Sequence, residues 1–403
     1  MTIRGKRTAA VTVAMCALVA AACSSTKSSS APATTSAAAS SATSATSATS
    51  AASSSATATT GASAAAGPWG WPGDATTGYL APNEPDVNGD GKVVIGVISP
   101  GDTHDHGYYE SFVDEANAFA KTNGWQVITV DKVPDSQAAQ AARNLCQQHP
   151  DMVAIAASEL KDAIPVAAEP VCKGTVWYVA GGQGVNQTPY FVQTNDIASQ
   201  DSYAAGVATG LLMKAANITK AGFISGPQAS FTTNFAKGWE AGIKSLVPNE
   251  TTVSTYTGDF NDTAKAVEAY TAQKSQGIGI VYPYLGGATF AVAAAANKDN
   301  VPVLTPGTDN CAVPSPKFAI SVIFDPGTYF ATALQPFKDG KLKVGVALQF
   351  HMGVDPAPTV KICSPTGDQA ATLAQTIKDI GTGKLRPDQL TGLNDYGSYT
   401  PGA

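Results

Sequence analysis

The sequence lacks the residue patterns on which most enzymes and nucleic-acid-binding proteins depend. Its globular part contains no G-x-S-x-G motif, which removes the usual α/β-hydrolase nucleophile, and no Walker-type lysine loop. The formal net charge is -6, and no cluster of Lys and Arg occurs beyond the N-terminal segment, which argues against nucleic acid as a partner. A Gly-rich loop at residues 181–184 is followed by Pro189 and another strand, where a dinucleotide site needs a helix N-terminus.

Metal ligands are also scarce, because the 403 residues include only 4 histidines. His104 and His106 share one loop, but the other two histidines are far away in sequence. Residues 86–91 match the start of a calcium loop, yet Val97 occupies the twelfth position, where such a loop needs Glu. We therefore predict no catalytic residue, no metal site and no cofactor.

The first 22 residues have the order of a secretory signal. Basic residues come first, an apolar run extends from Thr8 to Ala22, and Cys23 follows. The run, about 15 residues, is too short to span a bilayer comfortably. A cysteine at this junction looks like a bacterial lipobox, which predicts cleavage before Cys23, lipidation of Cys23 and anchoring on the extracytoplasmic face of the cell membrane. Ala20 stands where a strong lipobox has Leu, so A-x-A cleavage and release of a free protein is the alternative.

The segment that follows Cys23 is composed almost entirely of Ser, Thr and Ala as far as about residue 66. Without large apolar residues it cannot offset the entropy of folding, and we predict a disordered tether. The chain is therefore divided into a signal peptide (1–22), a tether (23–72), an N-terminal lobe (73–195), a C-terminal lobe (196–325) and a return segment with a hinge crossing and a C-terminal helix (326–403).

Beyond the tether, short apolar runs alternate with segments of helical periodicity, and the series restarts at about residue 199. This alternation predicts an α/β protein with two doubly wound parallel sheets. In such sheets ligands bind beyond the carboxyl ends of the strands, so we expect a cleft between the lobes. The candidate site loops at these ends are 99–107, 157–162, 181–186, 225–231, 257–261, 283–288 and 305–311. A final helix, residues 367–381, is predicted to pack back on the first lobe.

Cysteine usage fits an exported chain. After Cys16 in the signal and Cys23, four cysteines remain, an even number that favours disulfides. We predict one bond in each lobe, each worth roughly 3 to 4 kcal/mol in the chain-entropy model. The predicted pairs are Cys146–Cys172 and Cys311–Cys363. Four buried thiols are the alternative.

Several motifs at the predicted strand ends resemble those of the basic membrane protein (BMP) family, the ligand-binding lipoproteins of ABC importers. The resemblance covers about residues 92–338 and includes a segment, Thr257 to Lys265, that looks like the family's G-S-F-N-D-x-A-K sequence. The other matching segments are 105–112, 204–208, 220–224, 234–242, 286–287 and 307–309.

The resemblance implies a type I periplasmic-binding fold, whose lobes close on a ligand by hinge motion, and an ABC permease as the partner of a monomeric protein. Characterised members bind purine nucleosides between aromatic rings. By position, Tyr108 replaces the family's first stacking Phe, Tyr109 an Asn, and Phe324 a Lys, whereas Asp309 matches the ribose-binding Asp. The implied ligand-binding set is Asp105, His106, Tyr108, Tyr109, Asn234, Tyr282, Tyr284, Gly286, Asp309 and Phe324.

The predicted function is thus capture of a small polar ligand, with a purine nucleoside as the preferred cargo, and delivery to a membrane permease. The alternative is a ligand sensor or interaction lipoprotein of the same fold that passes a signal to a membrane partner. Neither function makes or breaks a covalent bond.

Overall fold

The computed structural model of the chain describes residues 67–181 and 184–402. The predicted signal peptide, Cys23 and nearly all of the predicted tether lie outside these residues. Within them, no helix is long and apolar enough to cross a membrane. The described chain forms two α/β lobes, each built on a largely parallel sheet. The predicted fold class is therefore confirmed.

Six parallel strands form the sheet of the first lobe. Its central strands are continuous apolar runs that are buried on both faces, as the sequence predicts for a parallel sheet. In spatial order the strands are β14 (Ala347–Phe350), β7 (Phe191–Asp196), β6 (Val176–Ala180), β5 (Met152–Ile155), β3 (Val94–Ile98) and β4 (Gln126–Val130).

Helices cover both faces of this first sheet. Helices α1 (Tyr108–Asn123) and α7 (Pro326–Lys338) pack on one face, and α2 (Ala138–Cys146) packs on the other with the 3-10 turns of Ser158–Ala168. The short antiparallel sheet of β1 (Gly73–Asp74), β2 (Gly78–Leu80) and β13 (Lys343–Val344) extends the core beneath α7.

The second lobe has two groups of three strands, which a bridge between Val281 and Val303 joins. One group is β10 (Ile280–Tyr284), β8 (Lys220–Ser225) and β9 (Thr251–Tyr256), all parallel, and the other is β11 (Leu304–Gly307), β12 (Ile320–Ile323) and the antiparallel β15 (Thr359–Ile362). On one face lie α3 (Ala198–Ala216), α4 (Ser230–Lys244) and α8 (Gln369–Gly381), and on the other lie α5 (Thr263–Ser275) and α6 (Thr289–Lys298). The short helix α9 (Pro387–Thr391) contacts α3 and α4.

The Ala/Gly-rich composition of α3 is explained by its contact with α4. A Cβ atom on Gly206 would lie 2.1 Å from the carbonyl oxygen of Trp239 and 2.8 Å from the Cα of Gly242, so the two helix backbones meet at glycines. Trp239 itself is fully buried, and its Nε1 donates a hydrogen bond to Thr209 Oγ1 at 2.9 Å. This tryptophan therefore belongs to the core of the second lobe, as its helical spacing predicts.

The chain passes between the two sheets after β7, after β12 and after β14. The return segment consequently serves both lobes: α7 packs on α1 of the first, and α8 packs on α3 and β15 of the second. The prediction that residues 367–381 pack on the first lobe was wrong, because β15 pairs with β12 and carries the following helix to the second sheet.

Both predicted disulfides are confirmed. Cys146 and Cys172 join the end of α2 to the 3-10 turn before β6, with their Cα atoms 5.1 Å apart. Cys311 and Cys363 join the loop after β11 to the end of β15, with a Cα separation of 4.9 Å. Each bond therefore joins two segments of one lobe, although the chain between Cys311 and Cys363 passes through the first lobe on the way.

A candidate ligand site between the two sheets

A pocket lies where the carboxyl ends of strands from both sheets converge, as expected for parallel α/β layers. Its walls combine aromatic rings with a small number of acidic and hydroxyl groups. The lining residues are Tyr108, Tyr109, Ser158, Glu159, Gly181, Thr194, Asp196, Asp201, Phe231, Phe235, Phe260, Tyr284, Leu285, Gly286, Pro306, Phe324 and Tyr329.

Aromatic rings from different elements contact one another across this pocket. Tyr284, at the end of β10, stacks on Phe235 of α4 with ring centroids 4.3 Å apart and planes 22° apart. Phe324, directly after β12, lies 6.1 Å from Tyr284 and 6.1 Å from Tyr108, the first residue of α1. The first-lobe ring of Tyr108 therefore faces a second-lobe aromatic cluster, which gives the pocket flat apolar walls on both sides.

Gly286 allows the two lobes to approach. A Cβ atom at this position would lie 2.7 Å from the Cε2 of Tyr109 and 2.9 Å from the Oδ1 of Asn261. The same Asn261 oxygen accepts a hydrogen bond from the backbone N–H of Gly287 at 2.9 Å, which fixes the loop after β10. The predicted site glycine thus has a steric reason, since the ring of a first-lobe residue lies against it.

One corner of the pocket, which we name the Glu159 corner, contains Glu159 and Tyr109. The hydroxyl group of Tyr109 donates a hydrogen bond to Oε1 of Glu159 at 2.9 Å. Burial raises the pKa of Glu159, and burial together with the nearby Glu159 charge holds the pKa of Tyr109 well above its usual range. Tyr109 therefore stays a hydrogen-bond donor, and one oxygen of Glu159 is occupied by the protein itself.

A second corner, named the Asp201 corner, contains Asp196 at the end of β7, Asp201 in the first turn of α3, and Tyr329 of α7. Burial raises the pKa of both carboxyl groups, and the negative charges of Asp196 and Asp395 raise that of Asp201 further. Within the described chain, Oδ1 of Asp201 and the hydroxyl of Tyr329 are buried without a hydrogen-bond partner. No Lys, Arg or His occurs among the described residues that line the pocket.

Two of the ligand residues implied by the resemblance, Asp105 and His106, contact residues at the start of α1 instead of lining the pocket. Oδ1 of Asp105 accepts hydrogen bonds from the backbone N–H groups of Gly107 at 2.9 Å and Glu110 at 3.0 Å. His106 is exposed, and its Nδ1 lies 3.3 Å from Oε2 of Glu110. Both residues lie beside the pocket and not in its lining, because the loop uses their polar groups to fix its own backbone.

Three more of these residues also lie outside the pocket lining. Tyr282 is fully buried in the core of the second lobe, because it shares a face of β10 with Tyr284 but lies two residues further from the carboxyl end of the strand. Asp309 is exposed, and its Oδ2 forms an ion pair with Nζ of Lys361 at 2.8 Å on the opposite strand β15. Asn234 is exposed and lines a neighbouring polar cavity, which shares Asp196 and Phe231 with the pocket. The remaining implied residues, Tyr108, Tyr109, Tyr284, Gly286 and Phe324, do line it.

The acidic residues of the pocket were missing from the sequence-based set. Glu159 lies in a loop that the strand pattern had marked as a candidate, so its position at a strand end was the available signal. Asp196 likewise ends a strand. Asp201 lies inside a helix whose sequence gives no local sign of function, and only the packing of α3 against the pocket reveals it.

Solved structures of other proteins share the fold of this chain. The structure of a solute-binding protein of an ABC transporter system from Conexibacter woesei superposes on this chain with a TM-score of 0.57 and 21% sequence identity. The superposition covers 73% of this chain and 98% of the Conexibacter chain. A solute-binding protein from Aeropyrum pernix K1 gives a TM-score of 0.58 at 15% identity over 76% of this chain and 86% of its own. The described residues thus have the type I periplasmic-binding fold.

The family follows from the sequence. The model of the Bmp family, described as ABC transporter substrate-binding protein PnrA-like, matches residues 92–355, and the chain belongs to this family. This confirms the family predicted from the motifs, and the family is one of substrate-binding proteins.

Curated relatives match over part of their length. The ABC transporter nucleoside-binding protein BmpA of Lactococcus lactis subsp. cremoris is 29% identical over 207 residues, which are 46% of this chain and 57% of that protein. A CD4+ T-cell-stimulating antigen of Listeria monocytogenes is 30% identical over 97 residues, 24% of this chain and 26% of its own. The chain therefore spans little more than half the length of the first relative and a quarter of the second.

Proposed function

We propose that this protein is a lipid-anchored, extracytoplasmic solute-binding protein of an ABC importer, and that it captures a purine nucleoside by closure of its two lobes. The observation that carries the proposal is the pocket between the lobes, whose aromatic rings come from both sheets. A flat heterocycle suits such walls, because stacking on aromatic side chains contributes about 1 to 3 kcal/mol per base.

Closure follows from the way in which the pocket is shared. Tyr108 and Tyr109 belong to α1 of the first lobe, whereas Tyr284 and Phe235 belong to the second. A ligand that touches both sets binds the closed arrangement better than the open one, and so shifts the population toward closure. A permease that recognises the closed form would then receive only loaded protein.

The proposed ligand and the proposed lipid anchor are supported by the name of a relative, by the composition of the pocket lining and by the N-terminal sequence. The matching relative BmpA carries the name of a nucleoside-binding protein. The absence of Lys, Arg and His from the described lining disfavours anionic ligands such as nucleotides, which leaves nucleosides, without a phosphate group, as the better candidates. The lipid anchor rests on Cys23 at the end of an apolar signal-like run.

The cargo is tested by isothermal titration of the purified protein with adenosine, guanosine, inosine, cytidine, free adenine and ribose. We expect purine nucleosides to bind, and a ligand at 100 times its dissociation constant to stabilise the fold by about 2.7 kcal/mol in a parallel thermal unfolding experiment. Tyr284→Ala should weaken binding roughly tenfold through loss of the stacking ring. Tyr190→Ala, outside the pocket, is the matched control. If none of the nucleosides binds while another class does, the nucleoside assignment is wrong and the importer class stands.

The anchor is tested separately in the native host. Metabolic labelling with a radioactive fatty acid should label the protein and retain it in the membrane fraction. Cys23→Ala should remove the label and release the protein into the extracytoplasmic fraction or medium. An unlabelled wild-type protein that is nevertheless exported would show that the alternative A-x-A cleavage operates.

A further inference from the structure

We propose that Asp196 and Asp201, together with the hydroxyl group of Tyr329, form a subsite that takes a protonated amino group of the ligand. The inference rests on the proposed function, because it concerns the same pocket, and it narrows the chemical class of the cargo to an aromatic or heterocyclic compound that bears an amine.

The first support is a set of buried polar atoms that the protein leaves without partners. Asp201 is 1% exposed and Tyr329 is 4% exposed, and both line the pocket. Across the described chain, neither Oδ1 of Asp201 nor the hydroxyl of Tyr329 finds a hydrogen-bond partner. Buried polar groups are seldom left in this state, and a site that leaves two of them facing one cavity is prepared for a ligand group or water.

The second support is the charge of the subsite. The carboxyl groups of Asp196 and Asp201 share a hydrogen bond with no cation beside them, and the carboxylate of Asp395 adds further negative charge nearby. Asp395 itself is occupied, because its oxygens accept hydrogen bonds from the N–H of Ser199 at 2.8 Å and from its hydroxyl at 2.6 Å. Two buried carboxyl groups in this setting retain a proton between them. An ammonium group can replace that proton and leave the net charge of the subsite unchanged.

The geometry of donors and acceptors agrees with this exchange. An ammonium group has three N–H donors and no acceptor. The subsite offers one acceptor group on each of three elements: Asp196 on β7, Asp201 on α3 and the Tyr329 hydroxyl on α7. The remaining titratable groups nearby are the phenols of Tyr108, Tyr282 and Tyr284 and the carboxyl groups of Glu159, Asp325 and Asp395. None of these groups is a cation that could compete with an ammonium ligand.

The third support is the aromatic surroundings. Tyr108, Tyr284 and Phe324 form contiguous walls of the same pocket. A cation placed near ring faces is attracted by their quadrupoles, and cages of aromatic side chains recognise ammonium ligands in this way. An acidic wall within an aromatic pocket therefore favours an organic cation over an anion of the same shape.

The test compares ligands that differ only in charge. Adenosine, 5′-amino-5′-deoxyadenosine and adenosine 5′-monophosphate form one series, and 4-ethylphenol and tyramine form a second series that contains no nucleoside. Isothermal titration at pH 7 should show that each amine binds at least about tenfold more tightly than its uncharged analogue, and that the phosphate does not bind. The affinity for the amines should rise between pH 5.5 and pH 7.5, because the carboxyl pair must release its proton to bind them, whereas the affinity for adenosine should stay constant.

Asp201→Asn keeps the shape of the side chain and removes one charge. We expect this variant to lose the amine preference and its pH dependence, with thermal unfolding as the check that it folds. Tyr329→Phe removes only the hydroxyl group and should reduce the preference about threefold, which keeps the test decisive if Asp201→Asn does not fold. Asp368→Asn, an exposed residue at the start of α8, is the matched control.

The outcomes separate the two proposals. If adenosine binds and the amine binds no better, the subsite is wrong and the nucleoside function stands. If tyramine is preferred over 4-ethylphenol while adenosine fails to bind, the subsite stands and the nucleoside cargo is wrong. If the amine preference is unchanged in folded Asp201→Asn and Tyr329→Phe proteins, the groups that we name do not form the subsite.

Discussion

The Glu159 corner and the Asp201 corner of the pocket differ in how the protein satisfies the hydrogen-bonding capacity of their carboxyl groups. Both carboxyl groups are buried, and burial raises the pKa of each. Glu159, however, accepts a hydrogen bond from Tyr109 at 2.9 Å, whereas Oδ1 of Asp201 has no partner within the described chain. Burial alone therefore does not distinguish a structural acid from one that is available to a ligand, and the state of its hydrogen bonds does.

The two corners also differ in their relation to the opposite lobe. The ring of Tyr109 lies against Gly286, so the Glu159 corner is a surface on which the lobes meet. The Asp201 corner lies where the chain first passes from one sheet to the other, with Asp196 ending β7 and Asp201 beginning α3. We interpret the first corner as a closing contact and the second as a contact for the ligand.

The largest expected effect comes from breaking the closing contact. Gly286→Ala places a Cβ atom 2.7 Å from the ring of Tyr109, and this ring cannot give way cheaply because it is buried and its hydroxyl group is hydrogen-bonded to Glu159. We expect ligand affinity to fall roughly 100-fold, equivalent to about 2.7 kcal/mol, while the thermal midpoint of the unliganded protein changes little.

Gly287→Ala is the matched control for this substitution. Its Cβ atom would lie 3.2 Å from Oδ1 of Asn261 and 3.9 Å from its Cγ, which a small side-chain shift can accommodate. Affinity should therefore fall much less. Equal affinities for the two alanine variants in isothermal titration would show that the Glu159 corner does not close on the second lobe.

A smaller effect is expected in the pH dependence of stability. The folded-state pKa of Asp196 is raised from 3.8 to about 6, and that of Asp201 is raised further. A raised pKa means that the folded protein binds protons more tightly, so this stabilisation is complete below about pH 4 and is lost as the pH rises through 6. Asp201→Asn should therefore gain about 2 kcal/mol relative to wild type between pH 4.5 and pH 7.5.

Urea unfolding at these two pH values measures the difference directly. Glu159→Gln provides the comparison between the corners, because the hydrogen bond from Tyr109 lowers the pKa of Glu159 and opposes the effect of burial. We expect its gain to be smaller than that of Asp201→Asn. A gain of equal size would remove the electrostatic distinction between the two corners.

The smallest effect is the coupling inside each corner. A double-mutant cycle with Tyr109→Phe and Glu159→Gln should give a coupling of about 1 kcal/mol in the free energy of unfolding of the unliganded protein, since the two side chains share a hydrogen bond. The cycle with Asp201→Asn and Tyr329→Phe should give a coupling near zero, because the two groups share no hydrogen bond. Coupling of similar size in both cycles would contradict the contrast on which the amine subsite is based.

Much of the fold was readable from the sequence because its signals are local. Helix α6, Thr289–Lys298, is an Ala-rich run, and strand β4, Gln126–Val130, is rich in β-branched residues, so the local sequence favours both elements. Asp262 accepts a hydrogen bond from the N–H of Lys265 at 3.0 Å, as expected of a helix N-cap after the family motif. Residues 158–172 form 3-10 turns in place of a regular α-helix, and these turns contain Pro165 and Pro170.

The site was readable only in part. Tyr108 and Gly286 line the pocket at the positions that the family motifs imply, because they follow strand ends that parallel sheets bring together. Asp309 satisfies the same motif, yet it forms an ion pair with Lys361, a residue 52 positions later on a strand that pairs antiparallel with β12. No local sequence pattern predicts the pairing of β15 with β12, which brings Lys361 to Asp309. The motif alone therefore could not show that the Asp309 carboxyl group lies outside the pocket.

The sequence by itself determined the parallel α/β lobes and the family and predicted the two disulfides, because hydrophobic period, cysteine number and motif order can all be read along the chain. Tertiary structure alone decided which acids face the pocket and which of them lack partners. Asp201 shows the reason, because its helix and its spacing are ordinary. Its chemistry arises because the fold buries it in one pocket with Asp196 and Tyr329 and leaves its Oδ1 without a hydrogen-bond partner among the described residues. Burial and hydrogen bonding depend on residues distant in the chain, and folding brings them together.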